Sequence, residues 1–516
     1  MPTPRCPDLE ELEIISRRFG LRASEDELAS YKELIEDTLS SYRWLEDVQE
    51  PKLPVIVPRS PGQRPPLAEN QLGAWAARCN ISTGSGGPLA GKTVAIKDNV
   101  AVAGVPMMNG SSMLDGFTPD IDATVVTRIL EAGGTITGKS VCEHLCFSGG
   151  SHTSDTGPVR NPHDMARNAG GSSSGSAALV ASGACDMAIG GDQGGSIRVP
   201  SSYCGCVGLK PSFGLVPYTG AAPIERTLDH LGPMASTVRD VALLLDAIAG
   251  PDDLDPRQGH VSVAEAPYSE TIDEGIENLS VGLLAEGFGW DQSETDVDET
   301  VRQAALKLSE AGATVADTSI PLHRQGLHIW TGIAVEGAYS TVVRGNSGGT
   351  NAAGYFDTPL IDAFSRAKAR NGADFSVTVK LTILLGEYLQ STYGGRYYAK
   401  ARNISRSLIA AYETALRNHD VIAMPTTPRK ATVLPAEDAP WPEIIDRAWE
   451  CEVNTRPFDV TGHPALAVPC GMSDGLPVSL MLVGRKGGEA KLLRVARAIE
   501  QLCPTPRPSP PEEATS

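Results

Sequence analysis

The feature that most constrains the fold is an alternation of two kinds of segment between residues 67 and 505. Short apolar runs rich in β-branched residues, such as 93–96 and 281–284, alternate with segments of helical periodicity, such as 238–249 and 489–502. This alternation is typical of an α/β protein in which helices cover a sheet. We find no fixed-period repeat in it. The sequence therefore predicts that residues 67–505 form one α/β body.

The first 66 residues follow a different pattern. They contain two amphipathic helix patterns, and the second begins at Ser24, which with Glu27 three residues later forms a capping-box signature. Residues 50–66 contain six prolines and are typical of an extended linker. We expect residues 1–66 to be a helical appendage with a proline-rich linker, which packs on the body or across a dimer interface. Residues 506–516 are proline-rich and polar, as in a disordered tail.

Charge and cysteine content narrow the classes of partner and compartment. The formal net charge is −19, which repels phosphate backbones and anionic lipid, so we expect neither nucleic acid nor a membrane as partner. Ten cysteines are too sparse in 516 residues for a disulfide scaffold. We also find no basic-then-apolar leader and no apolar run of 18 residues. The sequence therefore predicts a cytoplasmic protein. Small neutral molecules remain possible as ligands.

Glycine and serine concentrate in two tracts, residues 168–176 and 190–198. The first runs into an alanine-rich segment, which indicates an ordered turn at a helix N-terminus rather than a flexible linker. A phosphate-binding P-loop would need lysine where Ser176 stands. A nucleophile elbow centred on Ser173 would need an apolar strand immediately upstream, whereas residues 160–168 are polar and contain proline, so that no strand is expected there.

A third interpretation uses both tracts together with an upstream lysine. Ser172 lies 24 residues before Ser196 of the Gly-Gly-Ser-Ile-Arg tract and 75 residues after Lys97. On these residues the chain resembles the amidase signature family, and within it the bacterial enantioselective amidases associated with nitrile hydratase. The resemblance extends over about residues 70–260 and resumes at 457–477.

The resemblance implies a fold and a reaction. The fold would be an α/β/α layered domain with a mixed central sheet. The reaction would be the hydrolysis of small aliphatic or aromatic monocarboxylic amides to the acid and ammonia, with no metal or organic cofactor. Ser196 would be the nucleophile, Ser172 a proton relay joined through a cis peptide bond, and Lys97 the base. A lysine is a base only when neutral, and burial at the end of an apolar strand favours that form.

The resemblance also implies supporting residues. The backbone amides that would bind the oxyanion are those of Gln193, Gly194, Gly195 and Ser196. A pair formed by Asp192 and Arg198 would brace the turn. Candidate apolar walls for the acyl group, each equally compatible with ordinary core, are Phe147, Ile224 and Trp330. The residues Cys142, His144 and Cys146 have metal-ligand chemistry, but no second cluster completes a site, so we expect no metal.

Two alternative functions stay open on the sequence. One is the amidase subunit of a tRNA-dependent amidotransferase, which would require glutamine, partner chains and tRNA. The other is a catalytically silent scaffold of the same fold, although a silent copy has no chemical need for Lys97, Ser172 and Ser196 together.

We also expect a homodimer that forms through the N-terminal helices.

Overall fold

A computed structural model describes residues 4–59, 61–259 and 263–508 of the chain. The chain divides into two compact units, one ending at Leu53 and the other beginning at Pro54. Most of the predicted tail, from residue 509 onward, lies outside the described residues. Among the helices that the structure describes, none combines the length and apolar character needed to span a lipid bilayer.

The first unit contains the two predicted helices, α1 (Leu9–Phe19) and α2 (Glu25–Asp47). Both begin with a capping box, in which the side chain of Asp8 or Ser24 accepts from the third helical residue and that residue's glutamate accepts in return. Gly20 ends α1 in the left-handed conformation, with φ of 64°. Local sequence therefore specifies where both helices start and where the first one ends.

The second unit is built on strands that include every apolar run named above. Their bounds are β1 Trp75–Ile81, β2 Thr93–Lys97, β3 Thr135–Ser140, β4 Arg160–Asn161, β5 Asp164–Asn168, β6 Met187–Asp192, β7 Val207–Lys210, β8 His230–Ala235, β9 Ser280–Leu284, β10 Thr314–Thr318, β11 Val421–Pro425, β12 Ala465–Ser473 and β13 Leu476–Gly484.

The helices of this unit lie between the strands in sequence. Their bounds are α3 Thr124–Glu131, α4 Ser174–Ala181, α5 Arg198–Cys204, α6 Val238–Ile248, α7 Tyr268–Thr271, α8 Thr295–Lys307, α9 Leu322–Ala338, α10 Thr358–Asn371, α11 Val377–Tyr393, α12 Arg396–Asn418, α13 Trp441–Trp449, α14 Arg456–Thr461 and α15 Glu489–Leu502.

Eleven strands form one mixed sheet in the order β1-β3-β2-β6-β8-β7-β12-β13-β11-β9-β10. Strands β3, β2 and β6 run parallel, as do β11, β9 and β10, while the strands between these two groups pair antiparallel. Strands β4 and β5 form a separate antiparallel pair. The expected mixed central sheet is confirmed.

Both faces of the sheet are buried, which makes the fold three-layered. On β2, Val94 and Ile96 pack in one apolar cluster with side chains of α3, α6 and α15, whereas Ala95 between them packs in a second cluster with α4. Successive side chains of a strand point to opposite faces, so the two clusters lie on opposite sides of the sheet. Helices therefore cover the sheet on each side, as in an α/β/α layered domain.

One expectation about local structure was wrong. Residues 160–168 were expected to contain no strand, yet they form β4 and β5 immediately before the first glycine-serine tract. Most of β5 is exposed, from Asp164 to Ala166, and it lies outside the main sheet. A strand with so little buried surface needs no apolar pattern, and its pairing with β4 comes from backbone hydrogen bonds.

Candidate active site

The candidate catalytic residues lie where the parallel strands β2 and β6 end. Lys97 is the last residue of β2, and β6 ends at Asp192, within the second glycine-serine tract. Because the carboxyl ends of neighbouring parallel strands meet at one edge of a sheet, residues far apart in sequence are brought together there. The Lys97 Nζ atom lies 3.0 Å from the carbonyl oxygen of Gly191.

Lys97 and Ser172 form a direct hydrogen bond in a fully buried setting. The distance from Lys97 Nζ to Ser172 Oγ is 2.8 Å, and both side chains have no solvent exposure. The peptide bond between Gly171 and Ser172 is cis. A methyl group on Gly171 would lie 1.9 Å from the carbonyl oxygen of Gly150, so only glycine fits there. The chain thus holds a lysine amine against a serine hydroxyl with no carboxylate partner bonded to that amine among the described residues.

Ser196 belongs to the same centre through its backbone. Its carbonyl oxygen accepts a hydrogen bond of 3.2 Å from the amide of Ser173, the residue that follows Ser172. The two glycine-serine tracts are therefore adjacent in space. Ser196 also lines a cavity of about 310 Å³, so this residue is accessible to a small ligand.

The turn before Ser196 presents unused hydrogen-bond donors. Within the described part of the chain, the backbone amides of Gln193, Gly194, Gly195 and Ser196 donate to no protein acceptor. Gly195 has φ of 147°, and a methyl group added to it would lie 2.3 Å from Thr455 Oγ1. Consecutive free amides in a turn of this kind are suited to stabilising an oxyanion.

A buried ion network braces this turn. Arg198 donates from Nε to Asp192 Oδ2 at 3.0 Å and from Nη2 to Asp192 Oδ1 at 2.9 Å, and it also donates to Asp459 Oδ2 at 2.7 Å. Although burial opposes ionisation, the charge and hydrogen bonds of Arg198 hold the pKa of Asp192 well below its usual range. Asp192 in turn accepts from the amide of Ile197 at 2.9 Å. The network links β6, the start of α5, and α14.

The three serines of the first tract have different partners. Ser172 contacts Lys97, Ser173 Oγ donates to the Gly191 carbonyl and accepts from the Gly191 amide, and Ser174 Oγ donates to Glu143 Oε1 at 2.9 Å. Ser173 therefore fastens the tract to the end of β6. This arrangement does not present Ser173 as the exposed residue of a nucleophile elbow.

The predicted apolar walls all face the cavity that Ser196 lines. Phe147, Ile224 and Trp330 are among its lining residues. Trp330 also donates from Nε1 to the carbonyl oxygen of Gln193 at 2.7 Å, and its ring limits the space beside Gly194. The cavity is of a size that suits one small organic molecule.

Sequence reasoning missed a charged group in this cavity. Glu452 and Arg456 also line it, and they form a buried pair with 2.7 Å between Arg456 Nη2 and Glu452 Oε2. The Arg456 guanidinium lies over the ring of Trp330 at 4.3 Å and near that of Trp449 at 5.6 Å. The only sequence signal was their spacing of four residues, which is far more common in exposed helical pairs.

The three residues with metal-ligand chemistry do not share one partner. Cys142 and Cys146 each lie 3.5 Å from Asn109 Oδ1, whereas His144 Nδ1 contacts Asp155 at 3.2 Å. Cys146 also lines the cavity. Among the residues that the structure describes, we find no group of three His, Cys, Asp or Glu side chains placed to hold a metal ion.

Comparison with known proteins gives consistent matches. The family model described as Amidase matches residues 65–493. An enantioselective amidase from Rhodococcus rhodochrous is 47% identical over 513 residues, which is 99% of this chain and 98% of that protein.

Two solved structures are similar over most of the chain. One is a glutamyl-tRNA(Gln) amidotransferase subunit from Thermotoga maritima, with a TM-score of 0.71 and 31% identity, covering 86% of this chain and 92% of that one. The other is peptide amidase from Stenotrophomonas maltophilia, with a TM-score of 0.66 and 30% identity, covering 82% and 84% of the two chains.

Proposed function

The chain belongs to the amidase family and is a hydrolase of amide C–N bonds, and from that premise we propose that it cleaves small monocarboxylic amides through an acyl-enzyme on Ser196. The observation that carries this proposal is the 2.8 Å contact between Lys97 Nζ and Ser172 Oγ, buried beside the turn that bears Ser196. The amides before Ser196 and the cavity in front of it supply an oxyanion site and a place for the acyl group.

The proposed cycle has two steps. In acylation, Ser196 Oγ bonds to the amide carbon, its proton passes through Ser172 toward Lys97, and the C–N bond breaks as the nitrogen takes up a proton and leaves as ammonia. In deacylation, water attacks the acyl ester, the carboxylic acid leaves, and Ser196 regains its proton. The free amides of residues 193–196 stabilise the oxyanion in both steps. Aliphatic and aromatic acyl groups are both compatible with the apolar cavity walls.

An amidotransferase subunit is the weaker alternative. The relative named as an enantioselective amidase shares 47% identity over almost the whole chain, including the N-terminal helices, whereas the amidotransferase subunit of known structure shares 31%. A catalytically silent scaffold is also disfavoured, because the chain keeps the lysine and both serines at the expected spacing.

Hydroxylamine capture tests the covalent step. We expect turnover of propionamide or benzamide in the presence of hydroxylamine to yield the hydroxamate, because the amine competes with water for the acyl-enzyme. Ser196→Ala should lower kcat by about a thousandfold or more and abolish the hydroxamate.

Ser173→Ala is the matched control for this experiment. It removes a neighbouring hydroxyl that, among the described residues, bonds only to Gly191, so kcat should stay within about tenfold of wild type. An active Ser196→Ala together with an inactive Ser173→Ala would contradict the proposal and favour the nucleophile elbow.

We also propose that two copies associate through α2. Tyr31, Leu34, Tyr42 and Leu45 fall on one face of this helix, and each is more than half exposed. An apolar helical stripe left in water is typical of an interface. The partner in this association is a second copy of the same chain.

We propose a cytoplasmic location because the cysteines are free thiols. All ten lie in the described part of the chain and are free thiols, and eight of them are buried. Free thiols persist in a reducing compartment. The net charge of −19 likewise supports our proposal that neither nucleic acid nor a membrane is a partner.

A further inference from the structure

Glu452 lies at the edge of the cavity that Ser196 lines, and one of its carboxylate oxygens accepts no hydrogen bond from the described residues. Arg456 donates to Oε2 twice, from Nε at 3.0 Å and from Nη2 at 2.7 Å. Oε1 accepts no hydrogen bond from any described residue. The Glu452 side chain is only 2% exposed, and it lines the cavity that Ser196 also lines. Burial raises the pKa of Glu452, and the nearby Arg456 charge opposes that rise.

The free oxygen is close to the proposed oxyanion turn. A methyl group built on Gly194 would lie 3.5 Å from Glu452 Oε1. A carbonyl oxygen bound by the amides of this turn would therefore bring the neighbouring carbon of its acyl group within reach of Oε1. Trp330 borders the same position, with its ring carbons 3.0 and 3.3 Å from that methyl group.

The second carboxylate of the cavity differs in this respect. Glu225 also lines it, but Oε1 accepts from the Tyr398 hydroxyl at 2.9 Å, and Oε2 accepts from the amide and the hydroxyl of Thr227. Both oxygens of Glu225 are thus occupied within the protein. Glu452 is the cavity carboxylate with a free acceptor, and the lining carries one more negative than positive charge when Glu225, Glu452 and Arg456 are ionised.

We propose that Glu452 selects amides that carry a hydrogen-bond donor, a hydroxyl or an ammonium group, on the carbon next to the carboxamide. The proposal rests on the proposed function and specifies its substrate class as 2-hydroxy and 2-amino amides. A buried anionic acceptor without a donor is unfavourable, and a donor on the substrate satisfies it. An apolar group of the same size leaves the acceptor unpaired, so the site discriminates against it.

Three substrates of matched shape test the proposal on the full-length enzyme. Isobutyramide, lactamide and alaninamide differ only in whether a methyl, a hydroxyl or an ammonium group stands on the carbon beside the carboxamide. We expect kcat/KM for lactamide or alaninamide to exceed that for isobutyramide by about tenfold. The comparison of the last two substrates with each other tells a hydroxyl preference from an ammonium preference.

The variant Glu452→Gln tests whether this residue is the cause. Its amide oxygen can still accept from Arg456, but an NH₂ group then faces the cavity in place of the free oxygen. We expect the tenfold preference to disappear, measured as the ratio of the kcat/KM values for lactamide or alaninamide and for isobutyramide within the variant. In the matched control, Glu225→Gln, the preference should remain, because Glu225 has no free oxygen to offer.

The outcomes separate this proposal from the proposed function. If none of the three amides is hydrolysed, the proposed function fails. If isobutyramide is hydrolysed as well as or better than both other amides, or if Glu452→Gln leaves the preference intact, the role of Glu452 is wrong while the amidase proposal stands. Should Glu452→Gln not fold, the double variant Glu452→Leu/Arg456→Met removes both charges together, and the wild-type comparison needs no variant.

Discussion

A buried lysine outside the proposed triad connects single residues to stability. Lys210 Nζ donates to the carbonyl oxygens of His463 at 2.8 Å and Pro211 at 3.1 Å, and it lies 3.3 Å from His230 Nε2. Burial lowers the pKa of Lys210 to about 7, with the Asp459 charge acting against it. The amine is therefore about half neutral in the native protein at pH 7 and largely neutral at pH 8 and above, whereas in the unfolded chain it remains mostly protonated up to about pH 10.4.

This difference predicts a pH dependence of stability. Between about pH 7 and pH 10 the unfolded chain binds more protons at residue 210 than the native protein does, so raising the pH stabilises the fold. From pH 7 to pH 9, the free energy of unfolding of wild type should rise by about 2 kcal/mol relative to Lys210→Met. Denaturant unfolding at the two pH values measures this. An equal change in both proteins would show that Lys210 keeps its proton in the fold.

Some site residues were predicted from the sequence and others were missed. The two groups differ in what determines their positions. Lys97, Ser172 and Ser196 could be selected because their spacing is fixed by the strands and turns around them, and the resemblance links that spacing to a reaction. Glu452 and Arg456 could not, since their position in the cavity depends on how α13 and α14 pack near the end of the chain. A charged pair four residues apart carries no local sign that it is buried.

At the scale of elements, buried strands were more predictable than exposed ones. Strand β2 begins where its apolar run begins, and α15 matches its predicted range, because burial demands apolar side chains in a regular pattern. Strands β4 and β5 are short, polar and outside the main sheet, so their sequence contains no such pattern. The order of the strands in the sheet likewise depends on long-range pairing, which local sequence does not encode.

The turn between β6 and α5 gives a prediction at this scale. Gly195→Ala would force a methyl group against Thr455 Oγ1 at a positive φ that favours glycine. We expect kcat/KM to fall by about a hundredfold, because the turn must move and its amides lose their alignment. Initial rates on isobutyramide measure the effect.

Gly183→Ala is the matched control for that variant. Gly183 also has a positive φ, of 74°, but nothing lies within 4 Å of the added methyl group. It should cost about 1 kcal/mol of stability and leave kcat/KM nearly unchanged. Equal activity in the two variants would mean that the geometry of the Gly195 turn is not required for catalysis.

At the scale of the whole molecule, the exposed stripe on α2 determines the expected assembly. Leu34 is 64% exposed and Leu45 61%. In the double variant Leu34→Glu/Leu45→Glu, two charges stand where the partner's apolar surface would be, so the dimer should dissociate. Light scattering should then report about 54 kDa in place of twice that mass. A wild-type protein that is already monomeric would contradict the proposed association.

A control for that variant places charge changes elsewhere on α2. Glu33 and Asp37 are exposed acidic residues of the same helix, and their exchange for lysine in Glu33→Lys/Asp37→Lys changes the charge without touching the apolar stripe. This control should keep the mass of the wild type. Turnover of isobutyramide should survive in both variants, since the proposed catalytic residues lie in the other unit.

The buried link from Arg198 to Asp459 has a consequence for biosynthesis. The turn that bears the proposed nucleophile is encoded near residue 196, but Asp459 and Thr455, which hold it, are translated more than 250 residues later. Strands β12 and β13, later still, occupy interior positions of the sheet. A nascent chain on the ribosome therefore carries every proposed catalytic group long before it can align them, and we expect hydrolytic competence only after residues 455–484 have been added.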